Sequence, residues 1–195
     1  MVAVNPQTLQ GAWRSGVALD FHTTSSTPIG YNEYGHMQFD TVRPAIAELL
    51  YKLKYQHDAA AADDIVAAAV SFLGRHLPKF DVLVPVPAST IRNPPPVMTI
   101  ASGIAKSTGL PLLDCISTTR PTTQLKGVND PEKRKELLAG LYAADPAHIK
   151  GKRVLLFDDV FRSGSTMNAI TEVLLESGKA ASVHVLTITK TRNNR

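Results

Sequence analysis

The amino-acid sequence predicts an α/β domain on a parallel sheet with helices on both faces, and three observations carry that prediction. Two short runs, Asp81–Val86 and Arg153–Phe157, are apolar without alternation, as strands buried on both faces are. Segments with apolar residues at helical spacing lie between the strand-like runs. The chain has 195 residues, 44% hydrophobic and 19% charged, which is the size and make-up of one ordinary domain with its own core. Such a core needs no disulfide, and Cys115, the single cysteine, can form neither an internal bridge nor a cysteine-rich zinc site.

Taken in order, residues 1–38 are rich in Thr, Ser, Gly and aromatics without a clear period. They read as an irregular arm, so that residues 1–40 form an N-terminal arm or hood on a core of residues 41–195. Val42, Ile46, Leu49, Leu50 and Leu53 predict a first helix, with Pro44 accepted near its start. A second covers 60–76, with Asp63 and Asp64 early in it and Ile65, Ala68, Ala69, Phe72 and Leu73 on its apolar face. The strand at 81–86 runs into a proline-rich loop at 87–96. A helix over 97–108 closes at Gly109, and Leu112–Ile116 reads as a strand. Residues 117–132 read as a long exposed loop before a short helix at 132–138. Last come the strand 153–157, a turn over 158–165, a helix over 166–177 with Met167, Ile170, Val173 and Leu174 inward, and a strand over 182–189.

The charge is mildly basic, 21 Lys+Arg against 17 Asp+Glu, for a net +4. That admits an anionic ligand; nucleic acid is admitted but not favoured. No apolar run approaches the roughly 18 residues of a membrane span, and the start lacks the basic and apolar regions of a secretory signal. With a single cysteine, a reducing, cytoplasmic setting is expected. The six histidines show no metal-ligand spacing.

Chemistry concentrates in 154–166, VLLFDDVFRSGST. A buried strand ends in two carboxylates, Asp158 and Asp159, and a Ser/Gly/Thr loop then opens a helix. Backbone N–H groups at that helix start, with the hydroxyls of Ser163, Ser165 and Thr166, make an anion seat. Two carboxylates beside such a seat require a compensating partner, either a metal ion or donating sugar hydroxyls. A phosphorylated sugar satisfies both halves. Neither Gly151-Lys152 nor Gly178-Lys179 has the upstream glycine of a Walker loop, and GxGxxG is absent. A receiver domain, which also starts with a strand and an acidic pair, needs more chain downstream. The alternative is an acidic turn that caps a helix. At a strand end near solvent, neither acid is expected to matter for folding.

This segment resembles the signature of type I phosphoribosyltransferases, which bind 5-phosphoribosyl-1-pyrophosphate (PRPP). More narrowly the chain resembles the ComF-type, competence-associated family, through Leu53-Lys54-Tyr55, the run 81–87, Arg120 with Gln124, Arg134 before Gly140-Leu141-Tyr142, and the signature itself. The resemblance spans about Phe39 to Lys190 and implies a Rossmann-like phosphoribosyltransferase core. It implies that Asp158 and Asp159 hold the ribose hydroxyls and that Arg162, Ser163, Gly164, Ser165 and Thr166 wrap the 5′-phosphate. It implies that the loop from Ala88 through Ser89 and Thr90 to Arg92 meets the pyrophosphate. The loop 118–135 would close over the site, with Arg120, Lys126 and Arg134 as its catalytic cations. Mg2+ would be carried by PRPP, with no direct protein ligand, and the acceptor would be a nucleobase or another nitrogen nucleophile. A homodimer is expected from the family. The chain departs from it at Phe161 and Arg162, at Leu137 in place of an Asn, and at Arg92-Asn-Pro-Pro-Pro96 in place of RGFNQ; the N-terminal cysteine ribbon is missing. The alternative function is a non-catalytic PRPP- or nucleotide-sensing module, or a DNA-uptake or repair accessory.

Several residues carry paired readings. Arg162 reads as a bidentate phosphate clamp or as a solvent-facing loop residue. Lys133 and Lys135 read, like Arg134, as pyrophosphate contacts or as a solvated face. Cys115 reads as a small buried hydrophobe, and Lys190, Arg192 and Arg195 as a frayed basic tail. Tyr31, Tyr34 and Phe39 read as a base-stacking cap or as simple packing of the arm.

Overall fold

The computed structural model describes residues 2–56, 58–74, 79–88, 95–121, 128 and 130–192. It is an α/β fold with a mostly parallel central sheet, as the sequence predicts. The strands of that sheet are β1 (Gln7–Thr8), β2 (Ser15–Phe21), β5 (Val82–Pro85), β8 (Arg153–Phe161) and β9 (Ser182–Lys190), in the order β1-β2-β9-β8-β5. Only the short β1 runs antiparallel to its neighbour. Two further strand pairs lie outside it: β3 (Ser25–Tyr31) with β4 (Met37–Val42), and β6 (Ile116–Thr118) with β7 (Tyr142–Ala144). The helices are α1 (Ala45–Tyr55), α2 (Ala59–Leu73), α3 (Pro96–Thr108), α4 (Pro131–Leu138) and α5 (Ser165–Glu176).

Both faces of the sheet are buried, which explains the unbroken apolar runs in its strands. On one face Leu155, Phe157 and Leu186 pack against Ile46 and Leu50 of α1, Ile65 of α2 and Ile100 of α3. On the other Val154, Leu156 and Val185 meet Met167, Ile170 and Leu174 of α5. Asp58 caps α2 by accepting from the Ala60 and Ala61 N–H groups, and α3 ends on the left-handed Gly109.

Four expectations are corrected. Residues 1–38 are not irregular: β2 is a parallel strand of the central sheet, paired with β9 from Ser15↔His184 to Phe21↔Lys190. Helical structure begins at Ala45, because Val42 still pairs with Ser25 across the β3–β4 hairpin. The expected strand 112–116 reduces to one parallel bridge, Leu83↔Leu112, and the strand proper is β6, whose partner β7 is too short to show a period. Finally, β8 does not stop at Phe157. Hydrogen bonding to β9 continues to Phe161↔Lys190, so the acidic pair sits inside a strand and the turn begins after it.

The β3–β4 hairpin stands off the core. Tyr31, Tyr34 and Phe39 are 70%, 76% and 54% exposed, so packing of the arm does not account for them.

Candidate functional site

The carboxyl ends of β2, β9, β8 and β5 point the same way, and ligands of open α/β sheets gather at such an end. Three residues just past the strands mark its rim. His22 donates its backbone N–H to the Lys190 carbonyl (2.7 Å), Thr191 to the Phe161 carbonyl (2.8 Å), and Arg162 follows β8 directly.

The turn after β8 leads into the N-terminus of α5. Its N-cap is Gly164, left-handed at φ +77°, with no side chain accepting from the first turn of the helix. The donors at this helix start therefore remain directed outward, at the positive end of the helix dipole. The Ser163 and Ser165 hydroxyls lie 2.9 Å apart beside it. The turn is braced from below by the N-terminal segment. Trp13 packs edge-on against Phe161 at 6.0 Å, and a Cβ on Gly164 would come within 2.9 Å of the Phe161 ring. The Ala12 N–H donates to Asn168 Oδ1 (2.8 Å), tying that segment to α5.

The acidic pair is divided. Adjacent strand residues point to opposite faces, and the two carboxyls meet different neighbours. Asp159 reaches α1, where its Oδ2 lies 2.7 Å from the Lys54 ammonium; the two side chains are only 14% and 15% exposed. Asp158 accepts from the Asp159 N–H (2.8 Å). Burial, and next the Asp159 charge, push its carboxyl up to about 8, against the opposing pull of that N–H and of Lys54. Close by, burial raises the Tyr142 phenol, opposed by its hydrogen bond to the Thr166 side chain, and Asp158 and Arg134 add smaller opposing effects.

His22 and Arg43 lie further along the Asp159 side. His22 Nδ1 lies 3.0 Å from Thr189 Oγ1. Its imidazole is held below the ordinary range, first by burial and then by the charges of Lys54 and Arg43. The Arg43 guanidinium stacks 4.4 Å over Tyr51 and sits 3.7 Å from Glu48, with its Nε buried and unpaired.

The structure brings Asp158, Asp159, Arg162, Ser163, Gly164, Ser165 and Thr166 together as one strand end, turn and helix start. Arg162 is exposed at the turn. Ala88 is exposed just past the carboxyl end of β5, whereas Ser89, Thr90, Arg92 and Lys126 lie outside the described residues. Arg134 donates to the Val128 carbonyl (3.0 Å), and its buried Nε has no hydrogen-bond partner among the described residues. Arg120 is directed elsewhere: its Nη2 donates to the Leu137 and Ala139 carbonyls (2.9 and 3.1 Å) and braces the end of α4. The expectation that both acids lie near solvent is corrected: Asp159 is paired with a nearly buried lysine and the Asp158 carboxyl is desolvated. Lys54, His22, Tyr142 and Trp13 escaped the sequence reading as site residues. Lys54 and Tyr142 each lie in a motif of the family resemblance, and Lys54 also falls four residues after Leu50 on the edge of the α1 apolar stripe.

Residues 65–195 match the family model described as phosphoribosyl transferase domain. No curated protein sequence matches the chain. Among solved structures, an adenine phosphoribosyl transferase from Trypanosoma brucei is 12% identical with a TM-score of 0.52, over 95% of this chain and 75% of that one. A glutamine PRPP amidotransferase from B. subtilis is 24% identical with a TM-score of 0.45, over 65% of this chain and 26% of that one. An orotate phosphoribosyltransferase from Aeropyrum pernix is 18% identical with a TM-score of 0.45, over 82% and 72%. The chain thus spans about a quarter of the length of the amidotransferase.

Proposed function

The chain belongs to the phosphoribosyl transferase domain family, and on that premise we propose that it binds PRPP and transfers the 5-phosphoribosyl group to a nitrogen acceptor, releasing pyrophosphate. The single observation that carries the proposal is the junction of β8 and α5. There an anion seat with a glycine N-cap lies directly beyond two carboxylates that diverge to either side of the strand.

In this reading the 5′-phosphate takes the N–H groups and hydroxyls of residues 162–166. Asp158 and Asp159 accept from ribose hydroxyls. The loop beginning at Ala88 receives the pyrophosphate, and residues 118–135 close over it with Lys126 and Arg134. The acceptor nitrogen forms a bond to the anomeric carbon as the bond to pyrophosphate oxygen breaks. Positioning, charge stabilisation and exclusion of water account for the rate. Mg2+ would arrive on the pyrophosphate. The protein donors do not fit a resident ion, since an ammonium already occupies Asp159 and, among the described residues, no group of three or more His, Cys, Asp or Glu converges. The acceptor fits a nucleobase or a related nitrogen heterocycle, the narrower relationship is to ComF-type proteins, and a homodimer is the expected assembly.

Pyrophosphate release from PRPP across a panel of bases tests this. Release with one base and none without it is the expected result. A second reading, a non-catalytic PRPP sensor, is favoured by one observation: Arg120 is committed to the carbonyls of α4 rather than directed to the rim. PRPP binding without release from any base would select it.

A further inference from the structure

Two carboxylates beside a phosphate seat are an electrostatic liability, and the sequence suggests only two remedies, a metal ion or sugar hydroxyls. The structure contains a third. Lys54 rises from the last turn of α1, beyond the buried Leu50 and Leu53, and places its ammonium 2.7 Å from Asp159 Oδ2. Both side chains are nearly buried, so their attraction is screened far less than that of a surface pair. Ordering a lysine stem this way costs side-chain entropy, which a merely solvated lysine would avoid.

We propose that Lys54 is a positioning residue of the sugar site. It clamps Asp159 from α1, holds the acidic pair in one arrangement, and cancels one of the two negative charges that an incoming sugar phosphate would otherwise meet. The proposal rests on the PRPP reading above and adds a residue to it. Lys54 acts through the carboxylates, with Asp159 held directly and Asp158 affected through the field. The charged and titratable groups that act on Asp158 or on its neighbour Tyr142 are Asp159 on its own strand, Lys54 from α1 and, beyond the Tyr142 phenol of β7, Arg134 from α4; α5 contributes the uncharged Thr166, which is hydrogen-bonded to Tyr142. Of these Asp159 raises the Asp158 carboxyl and Lys54 lowers it. Loss of the ammonium therefore moves Asp158 further up. If a ribose hydroxyl donates to the Asp158 carboxylate, binding strengthens as pH rises through its titration, and without Lys54 that rise moves to higher pH.

The test is calorimetric binding of ribose 5-phosphate and of Mg–PRPP, from about pH 6 to about pH 9 to span that titration, to the wild type, Lys54→Arg and Lys54→Met. Because the ligand's own ionisation is common to all three proteins, differences between profiles belong to the protein. We expect Lys54→Met to bind about tenfold more weakly near neutral pH and its profile to move alkaline by about one pH unit, with Lys54→Arg restoring both. A Lys54→Met/Asp159→Asn double variant, which leaves no unpaired buried charge, guards against loss of folding. It is expected to titrate below the wild type, because the Asp159 charge is gone. Wild-type affinity and an unmoved profile in Lys54→Met would overturn the proposal and leave the PRPP reading standing. If the single variant does not fold, the double variant is compared with Asp159→Asn alone: a profile that lies above that of Asp159→Asn is expected, and coincident profiles would overturn the proposal. A wild type that binds neither ligand would overturn both.

Discussion

Asp158 and Asp159 are neighbours in one strand and differ in nearly everything but sequence. Asp159 points toward α1 and meets an ammonium at 2.7 Å. Among the described residues Asp158 has no such ion-pair partner: its carboxyl is desolvated, pressed by the charge of Asp159, and accepts from the Asp159 N–H. The lesson is that an acidic pair in a strand is two sites. One is a carboxylate paired with an ammonium, and the other is a desolvated carboxyl beside that charge.

The largest expected effect separates the two directly. Asp159→Asn breaks a nearly buried ion pair and should destabilise the protein by about 3 kcal/mol in urea unfolding, the range for a broken buried pair. Asp158→Asn removes a carboxyl that folding disfavours and should be neutral or stabilising at pH 8. Equal losses from both would break the comparison.

Next comes the pH dependence of stability. The folded-state carboxyl of Asp158 lies above its unfolded value, so its contribution is fully present below about pH 4 and is lost as pH rises toward about 8. Thermal unfolding across that window should fall for the wild type and flatten in Asp158→Asn. A slope that persists would place the desolvated group elsewhere.

Gly164→Ala probes the proposed phosphate seat without touching either acid. At φ +77°, with the Phe161 ring 2.9 Å from the added Cβ, it should cost about 1–2 kcal/mol. It should weaken ribose 5-phosphate binding by a similar factor in the wild type and in Asp158→Asn. Unequal factors would couple the turn to Asp158.

The smallest effect comes from an ion pair at the other end of the sheet. Asp81 and Arg153 meet through two side-chain hydrogen bonds, at 2.8 and 3.0 Å, but their side chains are 30% and 45% exposed. The guanidinium holds the Asp81 carboxyl far below its ordinary range, so the pair's contribution is present above about pH 4 and lost on acidification. Solvent screening limits Asp81→Asn to about 0.5–1 kcal/mol at neutral pH. A loss as large as that of Asp159→Asn would deny that burial sets Lys54 apart.

How much of this the sequence discloses follows from range. The β8–α5 junction is legible because an apolar run, two acids and a Ser/Gly turn are contiguous and each has a local cause. Its boundary shifted because pairing with β9, a tertiary event, carries β8 past the acids to Phe161. The strand β2 is not legible, because Gly16 and the buried Asp20 interrupt its apolar pattern; Asp20 is accommodated by accepting from the Asn5 and Phe21 N–H groups. The Lys54–Asp159 pair joins α1 to β8 across most of the chain, and no local pattern specifies such a contact.

The most direct test of the account is a crystal structure with ribose 5-phosphate bound. The account predicts the phosphate against the N–H groups of residues 162–166, with ribose hydroxyls donating to Asp158 and Asp159 and Lys54 still holding Asp159. A sugar phosphate bound elsewhere, with that turn empty, would contradict it.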